Sequence, residues 1–351
     1  MANRISVGVL GATGAVGQKF VALLEDHPWF ELTELAASDR SAGRSYKEAT
    51  TWRQYKPIPE KLRDQTVKPC EPTLNCRVVF SGLDSSVAGE IEENFARAGY
   101  IVLSNSKNHR MDDDVPLLVP EINPEHLALI NIQRTRRGWP GAIVTNPNCS
   151  TIGLVMALAP IHRAFGVKRV IVATMQALSG AGYPGHSAID MLGNVIPYIG
   201  GEEDKVETEP LKIMGTLEGE RIRFADCRIS AHTNRVFVED GHMECASVEL
   251  ERKAKPEEVA RALAQFRSLP QELKLPSAPE QPVIVTDERD RPQPRFDRDA
   301  GNGMSAVVGR IRECPVFDIR FVVLSHNTIR GAAGAAILNA ELMKAQGLIL
   351  E

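Results

Sequence analysis

The feature that most constrains the fold is a glycine-rich junction between a predicted strand and a predicted helix. The segment ISVGVLG (5–11) has the apolar composition of a buried strand, and AVGQKFVALLEDH (15–27) repeats apolar residues at the helical period. Gly11, Gly14 and Gly17 lie at the junction. Such a junction lets backbone N–H groups approach a pyrophosphate at the helix N-terminus. Because the spacing is GxxGxxG and not GxGxxG, tight strand–helix packing alone is an alternative interpretation.

The order of strand-like and helix-like segments predicts two kinds of sheet, and therefore an α/β protein. In the first part, strands alternate with helices, which favours a parallel sheet covered on both faces. In the second part, strands follow one another with few helices between them, which favours a mostly antiparallel sheet. The further predicted strands are 32–38, 77–83, 100–105, 167–180, 235–250, 306–313 and 318–326, and the further helices are 85–99 and 329–347. The last helix is rich in small residues, so we expect it to pack closely against the first part.

Length, charge and cysteine usage exclude several classes of protein. The 351 residues suffice for two domains, and the net charge of -4 gives no basic surface for nucleic acid. Since no apolar stretch has the roughly 20 residues of a membrane helix, and the first residues lack signal-peptide features, we expect a cytosolic protein. The six cysteines form no CxxC pair, which predicts free thiols and no metal site.

The segment ASDRSAGR (37–44) ends the second predicted strand and bears on the choice of nicotinamide cofactor. An acidic residue at this position binds the ribose 2′-hydroxyl of NAD, whereas an arginine suits the 2′-phosphate of NADP. Both Asp39 and Arg40 are present. Because Ser38 and Ser41 flank this pair and hydroxyls can join a guanidinium around a phosphate, the segment favours NADP. The alternative is a pair of solvated surface charges.

One cysteine stands out, in TNPNCST (145–151) directly before the apolar run IGLVMALAPI. If a helix begins near Ser150, Cys149 lies at its N-terminus, where unpaired N–H groups and the helix dipole stabilise a thiolate. A thiolate can attack a carbonyl, and hydride transfer to a nicotinamide then gives a thioester. His242 and Arg235 supply a candidate proton-transfer group and a candidate carboxylate-binding group. Packing for the cysteine, and solvent exposure for the histidine and arginine, are the alternatives.

Five motifs carry a resemblance to a known family. They are, in order, GATGAVGQ (11–18), TNPNCST (145–151), QALSGAGYPG (176–185), RVFVEDGH (235–242) and NTIRGAAGAA (327–336). Together they resemble aspartate-semialdehyde dehydrogenase in its shorter form, typical of archaea and fungi, over essentially the whole chain. The resemblance implies an NADP-binding Rossmann domain at 1–148, completed by a C-terminal helix at 327–351. It also implies a substrate-binding and dimerisation domain at 149–326, like that of glyceraldehyde-3-phosphate dehydrogenase.

The activity implied by this resemblance is the reversible, NADP-dependent reduction of L-4-aspartyl phosphate to L-aspartate 4-semialdehyde and phosphate. The reaction proceeds through a cysteine acyl thioester and belongs to lysine, threonine and methionine biosynthesis. The implied assembly is a homodimer or homotetramer, symmetric through pairing of the second domain. The implied partners include small-molecule substrates and neither nucleic acid nor membranes.

The resemblance also implies roles for individual residues. Cys149 is expected as the nucleophile, His242 as the acid/base catalyst and Gln176 as a residue that orients the substrate. The expected substrate-binding residues are Arg235 for the α-carboxylate, Glu209 for the amino group, and Lys212, Arg110 and Asn148 for phosphate. The expected cofactor-binding residues are Gly11, Thr13, Gly14, Ala15, Val16, Ser38, Arg40, Ser41, Ser179, Gly180 and Asn327.

Three departures and two alternatives accompany this interpretation. Leu178 stands where the family often has Val. Pro210 follows the glutamate of ETEPLK, and His326 precedes Asn327, where the family pattern has other residues. A malonyl-CoA or succinyl-CoA reductase of the same fold is the main alternative, but Asn148 and the ExxK spacing of 209–212 favour an acyl phosphate over a CoA thioester. A redox-inactive dinucleotide-binding regulator is the second alternative, and the retained set of cysteine, glutamine, arginine and histidine argues against it.

Overall fold

The computed structural model describes residues 4–349 and contains two six-stranded sheets and a two-stranded ribbon. Positions 1–3 and 350–351, which belong to the predicted segments 1–148 and 327–351, lie outside the described residues. The strands of the first sheet are β1 (Ile5–Leu10), β2 (Phe30–Ala37), β3 (Lys68–Pro69), β4 (Val78–Ser81), β5 (Ile101–Ser104) and β6 (Ala142–Thr145). All its strand pairs are parallel, in the order β3-β2-β1-β4-β5-β6.

This order is that of a doubly wound Rossmann sheet, as predicted. The strands β4, β5 and β6 are buried at every residue, because helices cover both faces of a parallel sheet. The accompanying helices are α1 (Ala15–Leu24), α2 (Tyr46–Ala49), α3 (Glu60–Arg63), α4 (Ser85–Arg97), a 3-10 turn (Pro124–Ala128) and α5 (Leu129–Arg137). In this fold, ligands bind outside the carboxyl ends of the strands, where the strand order reverses.

The glycine junction between β1 and α1 has the geometry that the sequence predicts. Gly11 has φ +74, a conformation that L side chains rarely adopt. A Cβ at position 17 would lie 2.7 Å from Cα of Ala12, so Gly17 permits close contact between α1 and the turn. Gly14 is the N-cap of α1 and has no side chain to cap it. The first-turn amides of α1 therefore remain open to an anion.

The second sheet has the order β10-β7-β11-β14-β13-β12. Three of its strand pairs are antiparallel and two are parallel, which confirms the mostly antiparallel pattern. The strands are β7 (Val167–Gln176), β10 (Arg228–Arg235), β11 (His242–Leu250), β12 (Val283–Val285), β13 (Ala306–Glu313) and β14 (Ile319–Ser325), and β8 (Thr216–Glu218) pairs with β9 (Arg221–Arg223) as a ribbon. The helices are α6 (Cys149–Phe165), a 3-10 turn (Leu178–Ala181), α7 (Ala188–Met191), α8 (Glu202–Ile213), α9 (Pro256–Ala264), α10 (Leu269–Glu272) and α11 (Pro294–Asp297).

Three predicted elements differ from the structure. The strand predicted over 167–180 ends at Gln176 and is followed by the 3-10 turn Leu178–Ala181. The segment 235–250, predicted as one strand, contains a turn, because Gly241 adopts φ +103 and separates β10 from β11. The last helix begins with a π-helical turn (Ile329–Ala333) and continues as α12 (Gly334–Ala345). Apolar residues of α12 belong to the core beneath the first sheet, as expected of a helix returning to that part of the chain. Among the described residues, no helix is both long and apolar enough to span a bilayer.

Candidate active site

The site begins at the first turn of α6, which follows β6 directly. Cys149 is the first residue of α6, and the side chain of its N-cap, Asn148, accepts hydrogen bonds from the backbone N–H groups of Ser150 (2.9 Å) and Thr151 (3.2 Å). This capping satisfies two orphan donors and fixes where the helix starts. The prediction of a cysteine at a helix N-terminus is therefore confirmed.

Cys149 lies in the wall of a cavity of ≈ 670 Å³ between the two sheets. Residues after β1, β4, β5 and β6 line the cavity, so it lies outside the carboxyl ends of the first sheet. The π-helical turn approaches from the second half of the chain, and Gly331 packs against the cysteine. A Cβ at position 331 would lie 2.8 Å from Cβ of Cys149. Any larger residue there would displace the nucleophile.

His242, the first residue of β11, stands beside the cysteine. Its Nε2 lies 3.2 Å from Cys149 Sγ, and its Nδ1 accepts a hydrogen bond from the backbone N–H of Ala177 (3.0 Å). Because Nδ1 is an acceptor in that bond, the neutral ring carries its proton on Nε2, facing the sulfur. The strand break at Gly241 places the imidazole here, at the end of the second sheet.

The electrostatics of this pair differ from the expectation of a lowered thiol pKa. Burial, with the nearby Glu202 carboxylate, raises the pKa of the Cys149 thiol to about 12, although Arg110, Arg235 and Lys205 act in the opposite direction. Burial, with the Arg235 charge, lowers the pKa of His242 to about 3. The resting pair is therefore a neutral thiol beside a neutral imidazole. Desolvation exceeds the stabilisation of a thiolate by the helix N-terminus.

Two predicted arginines contribute charge beside the nucleophile. Arg235 is buried, and its Nη1 donates to the carbonyl oxygen of Ala177 (2.7 Å), while Nε has no partner among the described residues. Arg110 Nη1 pairs with Glu209 (2.9 Å), and its Nη2 donates to the carbonyl oxygen of Asn105 (2.7 Å). Both guanidiniums are thus oriented by the protein, and Nε of Arg110, like that of Arg235, has no partner among the described residues.

A carboxylate that the sequence interpretation missed connects the predicted residues. Glu202 accepts hydrogen bonds from the side-chain amides of Asn148 (2.8 Å) and Gln176 (2.9 Å), and it pairs with Lys205 (2.9 Å). Burial alone would raise its pKa, but these partners outweigh burial and lower the pKa of Glu202 to about 2. The signal was present in the sequence, because EEDK (202–205) has the same ExxK spacing as the segment 209–212.

The structure contradicts the predicted direct roles of Glu209 and Lys212. Lys212 is buried, and its Nζ donates to the carbonyl oxygens of Arg110 (2.8 Å), Asp112 (2.7 Å) and Val115 (2.8 Å). All three ammonium protons are therefore used within the protein, and none remains for phosphate.

Glu209 is occupied in the same way. Its Oε1 accepts from Arg110 Nη1 (2.9 Å), and its Oε2 accepts from the backbone N–H of Asn148 (2.7 Å). Glu209 thus orients two residues of the site and presents neither oxygen to a substrate amino group. The proline that follows it, Pro210, is accommodated inside α8.

The predicted cofactor residues fall into three groups. Those that line the cavity are Ala15, Val16, Ser179, Gly180 and Asn327. Gly11, Thr13 and Gly14 form the adjoining turn, outside the cavity wall. Ser38 and Arg40 are exposed and Ser41 is buried in the turn after β2, and the structure does not bring these three to the cavity wall. That turn follows β2, which pairs with β1, so it lies beside the glycine junction.

A glycine junction at the carboxyl end of a Rossmann sheet, opposite a half-buried cysteine and a buried histidine, is typical of nicotinamide-dependent dehydrogenases that form a covalent thioester. Comparison with known proteins agrees. Residues 6–130 match the family model described as semialdehyde dehydrogenase, NAD binding domain, and residues 158–330 match the model described as semialdehyde dehydrogenase, dimerisation domain.

Full-length relatives define the family more closely. The chain is 54% identical to aspartate-semialdehyde dehydrogenase of Archaeoglobus fulgidus over 99% of this chain and 100% of the relative, and 48% identical to that of Candida albicans over 97% and 98%. A crystal structure of the Candida albicans enzyme with NADP superimposes with a TM-score of 0.91 at 46% identity, covering 99% of this chain and 100% of that one. The chain belongs to the aspartate-semialdehyde dehydrogenase family, which confirms the resemblance carried by the five motifs.

Proposed function

We propose that this chain catalyses the reversible, NADP-dependent interconversion of L-4-aspartyl phosphate and L-aspartate 4-semialdehyde with inorganic phosphate. The observation that carries the proposal is the 3.2 Å contact between Cys149 Sγ and His242 Nε2 in a cavity that also receives the glycine-junction helix. The names of the full-length relatives support it.

The covalent chemistry assigned to the chain centres on Cys149. In the reductive direction, Sγ attacks the carbonyl carbon of the acyl phosphate and the C–O bond to phosphate breaks. The thiol proton leaves with the phosphate, and an acyl thioester remains. A bound NADPH supplies the hydride that reduces this thioester. The hemithioacetal oxyanion then collapses with cleavage of the C–S bond, which releases the aldehyde, and the sulfur takes up a proton from solvent to restore the thiol. His242 Nε2–H faces the sulfur, so it can donate a hydrogen bond to the oxygen of the hemithioacetal.

The residues present fit an NADP cofactor. The uncapped first turn of α1 supplies N–H groups for the pyrophosphate, and the absence of a side chain at Gly14 leaves room for it. Arg40 is exposed beside this turn, so its guanidinium is free to pair with a 2′-phosphate. At the other end, Asn327 Nδ2 donates to Ser179 Oγ (2.8 Å), and both residues line the cavity where the nicotinamide would lie.

The remaining polar groups suit the substrate. Arg235, with its unused donor, is assigned to the α-carboxylate. Glu202 is assigned to the amino group, in place of Glu209, because it is the carboxylate joined to both amide side chains of the site. Lys205 and Arg110, which both line the cavity, are assigned to phosphate, in place of Lys212. Asn148 and Gln176 complete the site through their bonds to Glu202.

The test is the formation of NADPH from aspartate semialdehyde under matched conditions. Turnover with inorganic phosphate is compared with turnover with free CoA in a phosphate-free buffer, and NADP is compared with NAD. We expect a requirement for phosphate and a preference for NADP. Turnover that requires CoA and ignores phosphate would instead identify a CoA-dependent reductase. Equal rates with NAD would remove Arg40 from the cofactor site.

The nucleophile is tested separately by Cys149→Ser. Serine lacks an accessible anionic form near neutral pH, so activity should fall by several orders of magnitude while NADPH binding persists. A variant that retained more than a few per cent of turnover would show that the nucleophile lies elsewhere. Loss of NADPH binding together with activity would point to misfolding in place of lost chemistry.

The chain is further proposed to form a homodimer or homotetramer through the outer face of the second sheet. The match to a dimerisation domain supports self-association. One face of the second sheet packs on α6 and α9, whereas Ile171 of β7 is exposed on the other face, and further exposed apolar residues lie in the segments 183–198 and 236–241. These exposed residues are Ile171, Tyr183, Ile189, Leu192, Val195, Tyr198 and Phe237. An apolar surface of this kind is typical of an interface between copies.

Analytical ultracentrifugation tests this surface. Ile189→Asp and Leu192→Asp should shift the assembly towards monomer, because each places a charge in a buried contact. Val87→Asp, at an exposed apolar position on α4 of the first sheet, is the matched control and should leave the assembly unchanged. Unchanged mass for the first two variants would move the interface to another surface.

A further inference from the structure

A buried carboxyl group without a role in the chemistry above lies behind the catalytic pair. Glu244 is two residues after His242 on β11, so its side chain points to the same face of the sheet. It is 1 % exposed, and neither of its oxygens has a hydrogen-bond partner among the described residues. Buried polar atoms are hydrogen-bonded in almost all native proteins, so this group requires an explanation.

The buried polar groups around it are those of Ser325 and Ser150, and we use the name rear chamber for the region defined by Glu244, Ser325, Ser150 and Gly153. Gly153 lies one turn after Cys149 on α6, and a Cβ there would lie 2.5 Å from Ser325 Oγ and 3.8 Å from Glu244 Oε1. The glycine therefore lets the Ser325 hydroxyl and the Glu244 carboxyl approach the backbone of α6 closely. Ser325 is the strand partner of His242, and Ser150 is three residues before Gly153 on the same helix face.

Three side chains of the rear chamber have buried polar atoms without a hydrogen-bond partner. The hydroxyls of Ser150 and Ser325 are buried and, like both oxygens of Glu244, have no partner among residues 4–349. Each serine can donate and accept, and a protonated carboxyl can do both. A buried water molecule, which typically makes about three hydrogen bonds, satisfies such a set when two to four polar groups surround it.

The charge state of Glu244 follows from what faces it. Across the sheet, β7 presents Thr174 and β14 presents Val323, neither of which carries a charge. The titratable groups nearby are Cys149 on α6, His242 on the same strand and Glu202 on α8. Burial, followed by the Glu202 carboxylate, raises the pKa of Glu244 well above its usual range. An ionised carboxylate here would also disfavour a thiolate on Cys149.

We propose that Glu244 is a positioning residue that acts as an uncharged carboxylic acid, joined to Ser150 and Ser325 through hydrogen bonds and buried water. The chamber connects the first turn of α6, which carries Cys149, to the strand ends that carry His242. It holds the sulfur and the imidazole at their contact distance without adding negative charge behind the sulfur. The catalytic consequence rests on the proposed function, whereas the geometry and protonation do not.

The decisive experiment compares Glu244→Gln with Glu244→Met. Glutamine keeps the shape and both hydrogen-bonding functions of a neutral acid, so kcat, its pH profile and the rate of Cys149 alkylation by iodoacetamide should stay within about twofold of the parent. Methionine fills similar volume without polar atoms, so kcat should fall roughly tenfold or more while KM changes little. Glu92→Gln, which alters another buried carboxyl beneath the first sheet, is the control for both measurements.

Infrared difference spectroscopy measures the protonation state of the Glu244 carboxyl independently of activity. The parent minus Glu244→Gln spectrum at neutral pH should contain the C=O stretch of a protonated carboxylic acid, outside the amide band. Absence of that band, or alkylation several-fold faster in Glu244→Gln, would show a carboxylate and overturn the proposal. A Glu244→Met variant with the parent kcat and pH profile would also overturn it.

The test remains decisive if one variant fails to fold or if the proposed reaction is wrong. If Glu244→Met does not fold, Ser325→Ala replaces it, and an unchanged kcat in that variant would contradict the hydrogen-bonded chamber. The alkylation and infrared measurements need neither substrate nor NADP. They therefore remain interpretable if the proposed reaction itself fails.

Discussion

Helix α8 carries the same pair of residue types twice, and the two pairs are used differently. Glu202 and Lys205 lie in its first turn, and Glu209 and Lys212 lie seven residues further along. Seven residues complete almost two turns, so both pairs occupy one face, separated by about 10 Å along the axis. Lys205 of the first pair lines the cavity, whereas Lys212 of the second pair donates hydrogen bonds to backbone carbonyls of the loop 110–115.

The difference shows that partners, and not spacing, determine what an ionisable pair does. Lys205 is partly exposed and pairs with one carboxylate, so it has protons to offer a ligand. Lys212 is 1 % exposed, and its ammonium group donates hydrogen bonds to three backbone carbonyl oxygens. Burial lowers the pKa of Lys212 to about 8, partly offset by aspartates of the neighbouring loop. The first pair is suited to binding and the second to structure.

The largest expected effect is on stability, from Lys212→Met. Removing the ammonium leaves three buried carbonyl oxygens without a donor, so the free energy of unfolding should fall by about 3 to 5 kcal/mol. Lys205→Met is the matched control and should cost less, about 1 to 2 kcal/mol, since it removes one ion pair while the buried Glu202 keeps its hydrogen bonds from Asn148 and Gln176. Urea denaturation measures both. Equal losses in the two variants would abolish the distinction between the pairs.

The sequence predicts those parts of the fold that depend on interactions between residues close together in the chain. The glycine junction is set by backbone conformation, and the helix start at Cys149 is set by the Asn148 cap, so both were predictable. The choice between the two ExxK segments was not predictable. Both lie on one helix face, and only contacts with residues distant in sequence, such as Asn148 with Glu202, decide which pair borders the cavity.

Two other features depended on tertiary structure in the same way. The neutral state of the Cys149–His242 pair results from burial, which no sequence window reports, and it outweighs the helix-end effect that the sequence suggested. The unpartnered carboxyl of Glu244 could not be predicted either, because only the folded structure shows that Gly153 faces it across the core.

The break in the predicted strand 235–250, in contrast, could be predicted from the sequence, because Gly241 stands between two strand-like segments.

A second way to sharpen the comparison is the pH dependence of stability in Glu202→Gln. The pKa of Glu202 is lowered from its ordinary value to about 2, so its ionised form contributes stability above about pH 4.5, and this contribution is lost as pH falls towards 2. The shift corresponds to about 3 kcal/mol. The variant should lack this part of the acid-side loss. Glu257→Gln, on α9, controls for the removal of one acidic group.

Thermal unfolding between pH 2 and 7 measures this effect. If the parent and Glu202→Gln lose thermal stability equally as the pH falls, the contacts with Lys205, Asn148 and Gln176 do not stabilise the ionised form of Glu202. The comparison between the two pairs would then lose its electrostatic basis, although the geometric distinction would stand.

The smallest expected effect, and the most specific, is on phosphate binding by Lys205. In Lys205→Met, KM for inorganic phosphate in semialdehyde oxidation should rise roughly 30-fold, since loss of one charge-assisted hydrogen bond costs about 2 kcal/mol. KM for the semialdehyde should change much less, because Arg235 and Glu202 remain. Lys205→Arg retains the charge and should recover most of the loss. A phosphate KM that is unchanged in Lys205→Met, measured by initial rates over a phosphate series, would leave Arg110 as the phosphate-binding cation and place Lys205 solely in support of Glu202.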